Sequence, residues 1–132
     1  MSRTGAFDLE STFVHLDHSG AEAVPYDENF WPDLMAGRTD YPGRLAMVLP
    51  MTEDFAHWER HPAGEELIVM LTGAMDVILD EAGGERTIKL DTGQAMLVPQ
   101  GIWHRGVIRA PGKALFVTEG EGTEHRPIGE AE

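Results

Sequence analysis

Fifteen glycines and eight prolines cut this 132-residue chain at short intervals, leaving apolar runs of about five to eight residues. Runs of that length suit strands and are too short for ordinary helices, so the predicted class is all-β. The spacing predicts strands over 44–49, 55–61, 66–71, 74–80, 85–90, 95–99, 104–109 and 114–118. By periodicity alone the stretch from Glu65 to Leu71 also fits a buried helix. Gly73 would then sit inside that helix at a cost of about 1 kcal/mol, whereas Thr72-Gly73 suits a connection between strands. Gly83-Gly84 separates the next two runs in the same way, so 66–90 reads as two consecutive hairpins.

Length sets one domain as the expectation. The formal net charge is −13, from 10 Lys plus Arg against 23 Asp plus Glu. A field of that sign repels phosphate backbones and anionic lipid, so neither nucleic acid nor membrane is an expected partner. Without cysteine there are no disulfides, thiol nucleophiles or thiolate metal sites, and any metal must be held by His, Asp or Glu. No apolar run approaches the ~20 residues of a membrane span, and the stretch Met1 to Asp8 lacks a secretory apolar segment. The expectation is a soluble, cytoplasmic protein.

The chemistry concentrates in two stretches. In the first, Phe55 to Gly73, strand alternation sends His57, Glu59 and His61 to one face and Trp58 and Arg60 to the other. Glu66 opens the next strand and shares its parity with Ile68 and Met70. In the second, Gly93 to His104, a Pro99-Gln-Gly101 turn delivers His104 to the start of a strand. Four groups able to hydrogen-bond or bind metal thus come from three strands. A plainer use for them is internal pairing of carboxylate with imidazolium, because burying either charge alone is costly.

These stretches resemble the two motifs of the cupin superfamily. The first motif is G, five residues, HxH, three or four residues, E, six residues, G. Its second half is met by Glu59-Arg60-His61, four residues, Glu66, six residues and Gly73, with Glu59 where the first His normally stands. The second motif is met from Gly93 through Pro99, Gly101 and His104, with Ile108 in place of its final Asn. The resemblance implies a double-stranded β-helix, or jelly-roll barrel, over 44–118. An irregular N-terminal segment (1–43) would pack on it, with a short helical turn around Phe30, Trp31 and Leu34, and an acidic tail (119–132) would follow. Within the tail, His125 to Ile128 is a stretch able to fold back on the body.

Carried over by position, the resemblance makes Glu59, His61, Glu66 and His104 the ligands of a divalent transition metal. Two carboxylates balance an M²⁺ charge and favour harder ions such as Mn or Fe, with Ni or Zn also admissible. His57 lies about 13 Å before His61 along an extended strand, too far to share an ion without a bulge. It is instead the candidate proton carrier, in a cavity whose expected walls are Phe55, Ile68 and Met70. The expected function is metal-dependent action on a small organic molecule, by dioxygenase, isomerase or cyclase chemistry. The alternative is a non-enzymatic small-molecule sensor or carrier, with or without metal. The resemblance also implies a homodimer.

Overall fold

Two strands of 16 residues each, β5 (Glu66–Glu81) and β8 (Trp103–Thr118), set the architecture of the computed structural model, which describes residues 5–129. The first four residues, and residues 130–132 of the expected acidic tail, lie outside the described residues. The antiparallel β5–β8 ladder runs from Glu66↔Thr118 at one end to Asp80↔Trp103 at the other. Leu79, the partner of His104, stands about 43 Å beyond Glu66 on a straight strand. Yet His104 Nε2 lies 3.0 Å from Glu66 Oε1. The ladder must therefore roll up and bring its two ends together.

The roll is made where the register shifts between Met70 and Met75. There Gly73 takes φ 79°, and a Cβ on it would fall 2.5 Å from the Ala110 carbonyl oxygen. A Cβ on Gly112 would run into the Thr72 carbonyl. Only glycine lets the two backbones approach so closely while bending. This corrects the hairpin expected at Thr72-Gly73. The predicted runs 66–71 and 74–80 are one strand, as are 104–109 and 114–118, because Gly73 serves a bulge rather than a two-residue turn. The hairpin expected at Gly83-Gly84 is present, with Glu81 opposite Gly84.

Because β5 and β8 bend, each belongs to two walls. In chain order the other strands are β1 (Thr12–Asp17), β2 (Gly20–Pro25), β3 (Arg44–Met51), β4 (His57–Arg60), β6 (Gly84–Leu90), β7 (Ala95–Val98) and β9 (Glu124–Pro127). One wall runs β2–β1–β3–β8–β5–β7, using the C-terminal half of β8 and the N-terminal half of β5. The other runs β6–β5–β8–β4–β9, using their opposite halves. The arrangement is the predicted all-β jelly roll. Between the walls lie Ile68, Met70, Met75, Val77, Leu79, Leu90, Val98, Ala114 and Phe116, all buried in one apolar cluster.

Two flanking segments are more ordered than their composition suggests. The N-terminal segment forms the β1–β2 hairpin and adds to the first wall through β3. Helix α1 (Phe30–Met35), at the site of the expected helical turn, joins an aromatic cluster in which Phe13 stacks on Tyr26 at 4.7 Å and Phe30 on Tyr41 at 5.6 Å. Part of the segment expected to be a tail is strand β9, paired residue by residue with β4.

Gly112→Ala is expected to destabilise the fold by about 2–4 kcal/mol, since backbone must shift to admit the methyl. Gly83→Ala meets nothing within 4 Å and should stay within about 0.5 kcal/mol of wild type. Urea unfolding of the two variants checks this; equal effects would mean that the crossing carries no strain.

Candidate metal centre

β4 and β8 contribute Glu59 and His104 as a direct cross-strand pair. His61 follows β4, where its carbonyl accepts from the Gly101 N–H at 3.0 Å and the Pro62 carbonyl accepts from Gln100 Nε2 at 2.7 Å. The Pro99–Gly101 turn thus tethers the loop that carries His61. Glu66 comes from the other wall, as the first residue of β5. The rolled ladder closes the gap: one donor atom from each of Glu59, His61, Glu66 and His104 lies within 4.8 Å of every other.

The spacings suit a shared cation. His61 Nε2 is 3.4 Å from Glu59 Oε1 and 3.4 Å from Glu66 Oε2; His104 Nε2 is 3.7 Å from Glu59 Oε1 and 3.0 Å from Glu66 Oε1. Donors about 2.1 Å from one ion stand about 3.0 Å apart at octahedral and about 3.4 Å apart at tetrahedral angles. Five buried side-chain nitrogen or oxygen atoms among the described residues lack a hydrogen-bond partner, and three of them are His61 Nε2, Glu66 Oε1 and His104 Nε2. Buried polar atoms are ordinarily satisfied, so three orphans meeting at one place call for a ligand. Although His104 and Glu66 stand at ion-pair distance, their angles do not make a hydrogen bond.

The remaining polar atoms are engaged from outside. His104 Nδ1 lies 3.2 Å from the Ile102 carbonyl, and His61 Nδ1 lies 2.8 Å from Thr123 Oγ1. The Thr118 hydroxyl donates to Glu66 Oε2. Side-chain exposure is 6% for His61, 3% for Glu66 and 1% for His104, against 30% for Glu59. The cluster therefore faces solvent on its Glu59 side. There His125 Nε2 lies 3.5 Å from Glu59 Oε2, and the exposed His57 ring is 6.2 Å from that of His125.

The structure brings together Glu59, His61, Glu66 and His104, the residues that the resemblance implied as ligands, whereas the residues expected to wall a cavity are mostly covered. Ile68 and Met70 are fully buried in the core, without surface for a ligand to touch. Phe55 is half-buried and lies so close over Gly106 that a Cβ there would meet its ring at 2.8 Å. A broad surface hollow does exist, lined by Phe7, Leu9, Val48, Leu71 and Lys113, but it shares no residue with the cluster. Thr118, Thr123 and His125 are the neighbours that spacing missed or left open. No motif links them to the ligands; only the pairing of Glu66 with Thr118, and the return of β9 along β4, brings them in.

Burial by itself lowers the pKa of His61, but the Glu59 and Glu66 carboxylates outweigh it and raise the imidazole to about 9 from an ordinary 6.5. Burial pushes Glu66 up, but His104 and His61 outweigh it and bring the carboxyl to about 2 from an ordinary 4.5. In the metal-free protein His61 therefore keeps its proton at neutral pH, and a metal binding there would have to displace it.

A family model for the cupin domain matches residues 46–118. Among solved structures, the chain is similar to a Bacillus subtilis oxalate decarboxylase described for its Mn(II) centres (TM-score 0.55, 14% identity, 67% of this chain and 24% of that one). It is also similar to an oxalate oxidase in complex with the substrate analogue glycolate (TM-score 0.54, 13% identity, 62% of this chain and 45% of that one). A protein from Shewanella frigidimarina containing a cupin-2 domain matches with a TM-score of 0.49 at 15% identity, over 60% of this chain and 72% of that one. This chain thus spans less than half of the oxalate oxidase and about a quarter of the decarboxylase. At these identities the likeness concerns the fold. No curated protein matches the chain.

The raised His61 pKa stabilises the metal-free fold fully below pH 6.5, and that contribution is lost as pH rises through about 9. The lowered Glu66 pKa acts above pH 4.5 and is lost as pH falls through about 2. Between metal-free wild type and His61→Gln, the difference in Tm should shrink from pH 6.5 to 9. The Tm gain on adding Mn²⁺ or Zn²⁺ to wild type should grow over the same window, because the metal needs the deprotonated ring. Two flat profiles would contradict the assigned charge state.

Proposed function

The chain belongs to the family of cupin-domain proteins, and from that premise we propose that it holds one divalent transition metal on Glu59, His61, Glu66 and His104 and acts through it on a small organic molecule. The observation that carries this is the convergence of three buried, unpartnered donor atoms beside a fourth, half-exposed carboxylate. A core that needed only shape would fill this space with apolar side chains. Manganese or iron suits the two-carboxylate, two-imidazole set best, with nickel or zinc as further candidates. A divalent ion there supplies Lewis acidity, and iron adds redox capacity.

The chain's own residues divide the remaining work. Glu59 and Glu66 offset the ionic charge, while His61 and His104, tied from behind through Nδ1, present Nε2 inward. Substrate approaches on the Glu59 side, where solvent reaches the cluster. His57 and His125 flank that side and are placed to hold or pass a proton at Glu59 Oε2 or at a bound molecule. Phe55 offers a partly open ring, whereas Ile68 and Met70 shape the wall from behind. The reaction is of dioxygenase, isomerase or cyclase type. Among the described residues no helix is long and apolar enough to cross a membrane. The strand edges at β2, β7, β6 and β9 offer surfaces through which two copies would pair as a homodimer.

Elemental analysis and metal titration test the proposal. Wild type should bind one Mn²⁺ or Fe²⁺ per chain, and Glu59→Ala and His104→Ala should each weaken binding by roughly 100-fold or more, beyond what supporting residues cost. Retention of metal in both variants would remove the proposed ligand set. A wild type that takes up none of Mn, Fe, Ni or Zn but binds a small molecule would make the protein a metal-free binder.

A further inference from the structure

We infer that the C-terminal segment 119–127, which lies beyond the matched family region, is part of the metal centre: Thr123 is a positioning residue for His61, and Arg126 anchors the segment that carries it. The inference rests on the metal assignment above. Thr123 Oγ1 donates to the Gly120 carbonyl at 2.8 Å, inside a turn also closed by Thr123 N–H to the same oxygen at 3.1 Å. With its proton committed there, Oγ1 can only accept from His61 Nδ1, 2.8 Å away. His61 Nδ1 therefore carries hydrogen, and in the neutral ring Nε2 is left as a lone pair aimed into the cluster. His104 is oriented in the same sense by the Ile102 carbonyl, a backbone group that no substitution removes. His61 relies on a side chain from a distant part of the sequence.

The turn holds its place because β9 is stacked onto the second wall. Its register on β4 sets His125 opposite Glu59 and Arg126 opposite Trp58. The Arg126 guanidinium lies 5.1 Å from the Trp58 ring and 4.8 Å from the Trp103 ring. Arg105 lies 5.0 Å from Trp58, and Arg60 lies 4.7 Å from Trp103, which makes an alternating stack Arg105–Trp58–Arg126–Trp103–Arg60. Arg126 Nη2 also donates to Asp80 Oδ2 on β5 at 2.7 Å, and Arg60 pairs with Glu124 of β9 itself. One cation thus ties β9 to β4, β5 and β8. The two tryptophans that flank the ligands in sequence serve this clamp on the outer face, where alternation had placed Trp58.

The test uses the whole chain with ¹⁵N-labelled histidine. In metal-free wild type the His61 Nδ1–H should give a slowly exchanging signal, assigned by its loss in His61→Gln. Thr123→Val should abolish the signal and weaken Mn²⁺ and Zn²⁺ binding about 10–100-fold, whereas Thr123→Ser should keep both. Arg126→Ala should keep a β-type circular dichroism spectrum while losing the signal and the affinity together. An unchanged signal and unchanged affinity in Thr123→Val would overturn the role of Thr123, and the same result in Arg126→Ala would overturn the clamp. If wild type itself binds neither ion, the metal assignment fails, and the Nδ1–H signals alone decide whether Thr123 positions His61.

Discussion

The close crossing of β5 and β8 at Gly73 and Gly112 is the constraint from which the rest of the structure follows. Without it the ladder would stay open, and Glu66 and His104 would stand at opposite ends of a ribbon. With it, both strands pass from one wall to the other and their ends meet. The same roll encloses Ile68, Met70, Met75 and Leu79 as a dry filling, so that closure of the barrel and assembly of the site are one event. A local change at the bend therefore acts on stability and on the cluster together.

The cluster places ionisable groups where charge is costly. Glu66, His61 and His104 are almost wholly removed from water, and a carboxylate or imidazolium in that setting is tolerable only when compensated. In the metal-free state the compensation is a proton retained on His61 between Glu59 and Glu66. On the proposed reading, a divalent ion would replace that proton with two charges and take up the donors that the pairs leave unsatisfied. Thr118, Thr123 and the Ile102 carbonyl already hold the outward atoms, so such an exchange would require little rearrangement.

The candidate ligands were legible through the cupin resemblance, because the motifs that carry it are local. Glu59, His61 and Glu66 sit at fixed offsets around one strand connection, and Pro99, Gly101 and His104 form a turn whose chemistry is readable in six residues. The bend was not legible: Thr72-Gly73 carries the same letters as a hairpin, and only the distant Ala110 and Pro111 carbonyls reveal that a glycine is required for a crossing. Ile68 and Met70 share the parity of Glu66, yet parity does not state whether an inward face meets a cavity or a packed core. The acidic composition of the last segment concealed β9, whose pairing depends on β4, Trp58 and Trp103 rather than on its own propensity.

The central claim is that side chains from both walls meet around one cation. Anomalous diffraction at the manganese or iron absorption edge, on crystals of the reconstituted protein, tests it most directly. The account predicts a single strong peak among Glu59, His61, Glu66 and His104, in bonding contact with one atom of each. A loaded crystal with no density there, or with its peaks only on exposed surface carboxylates, would contradict it.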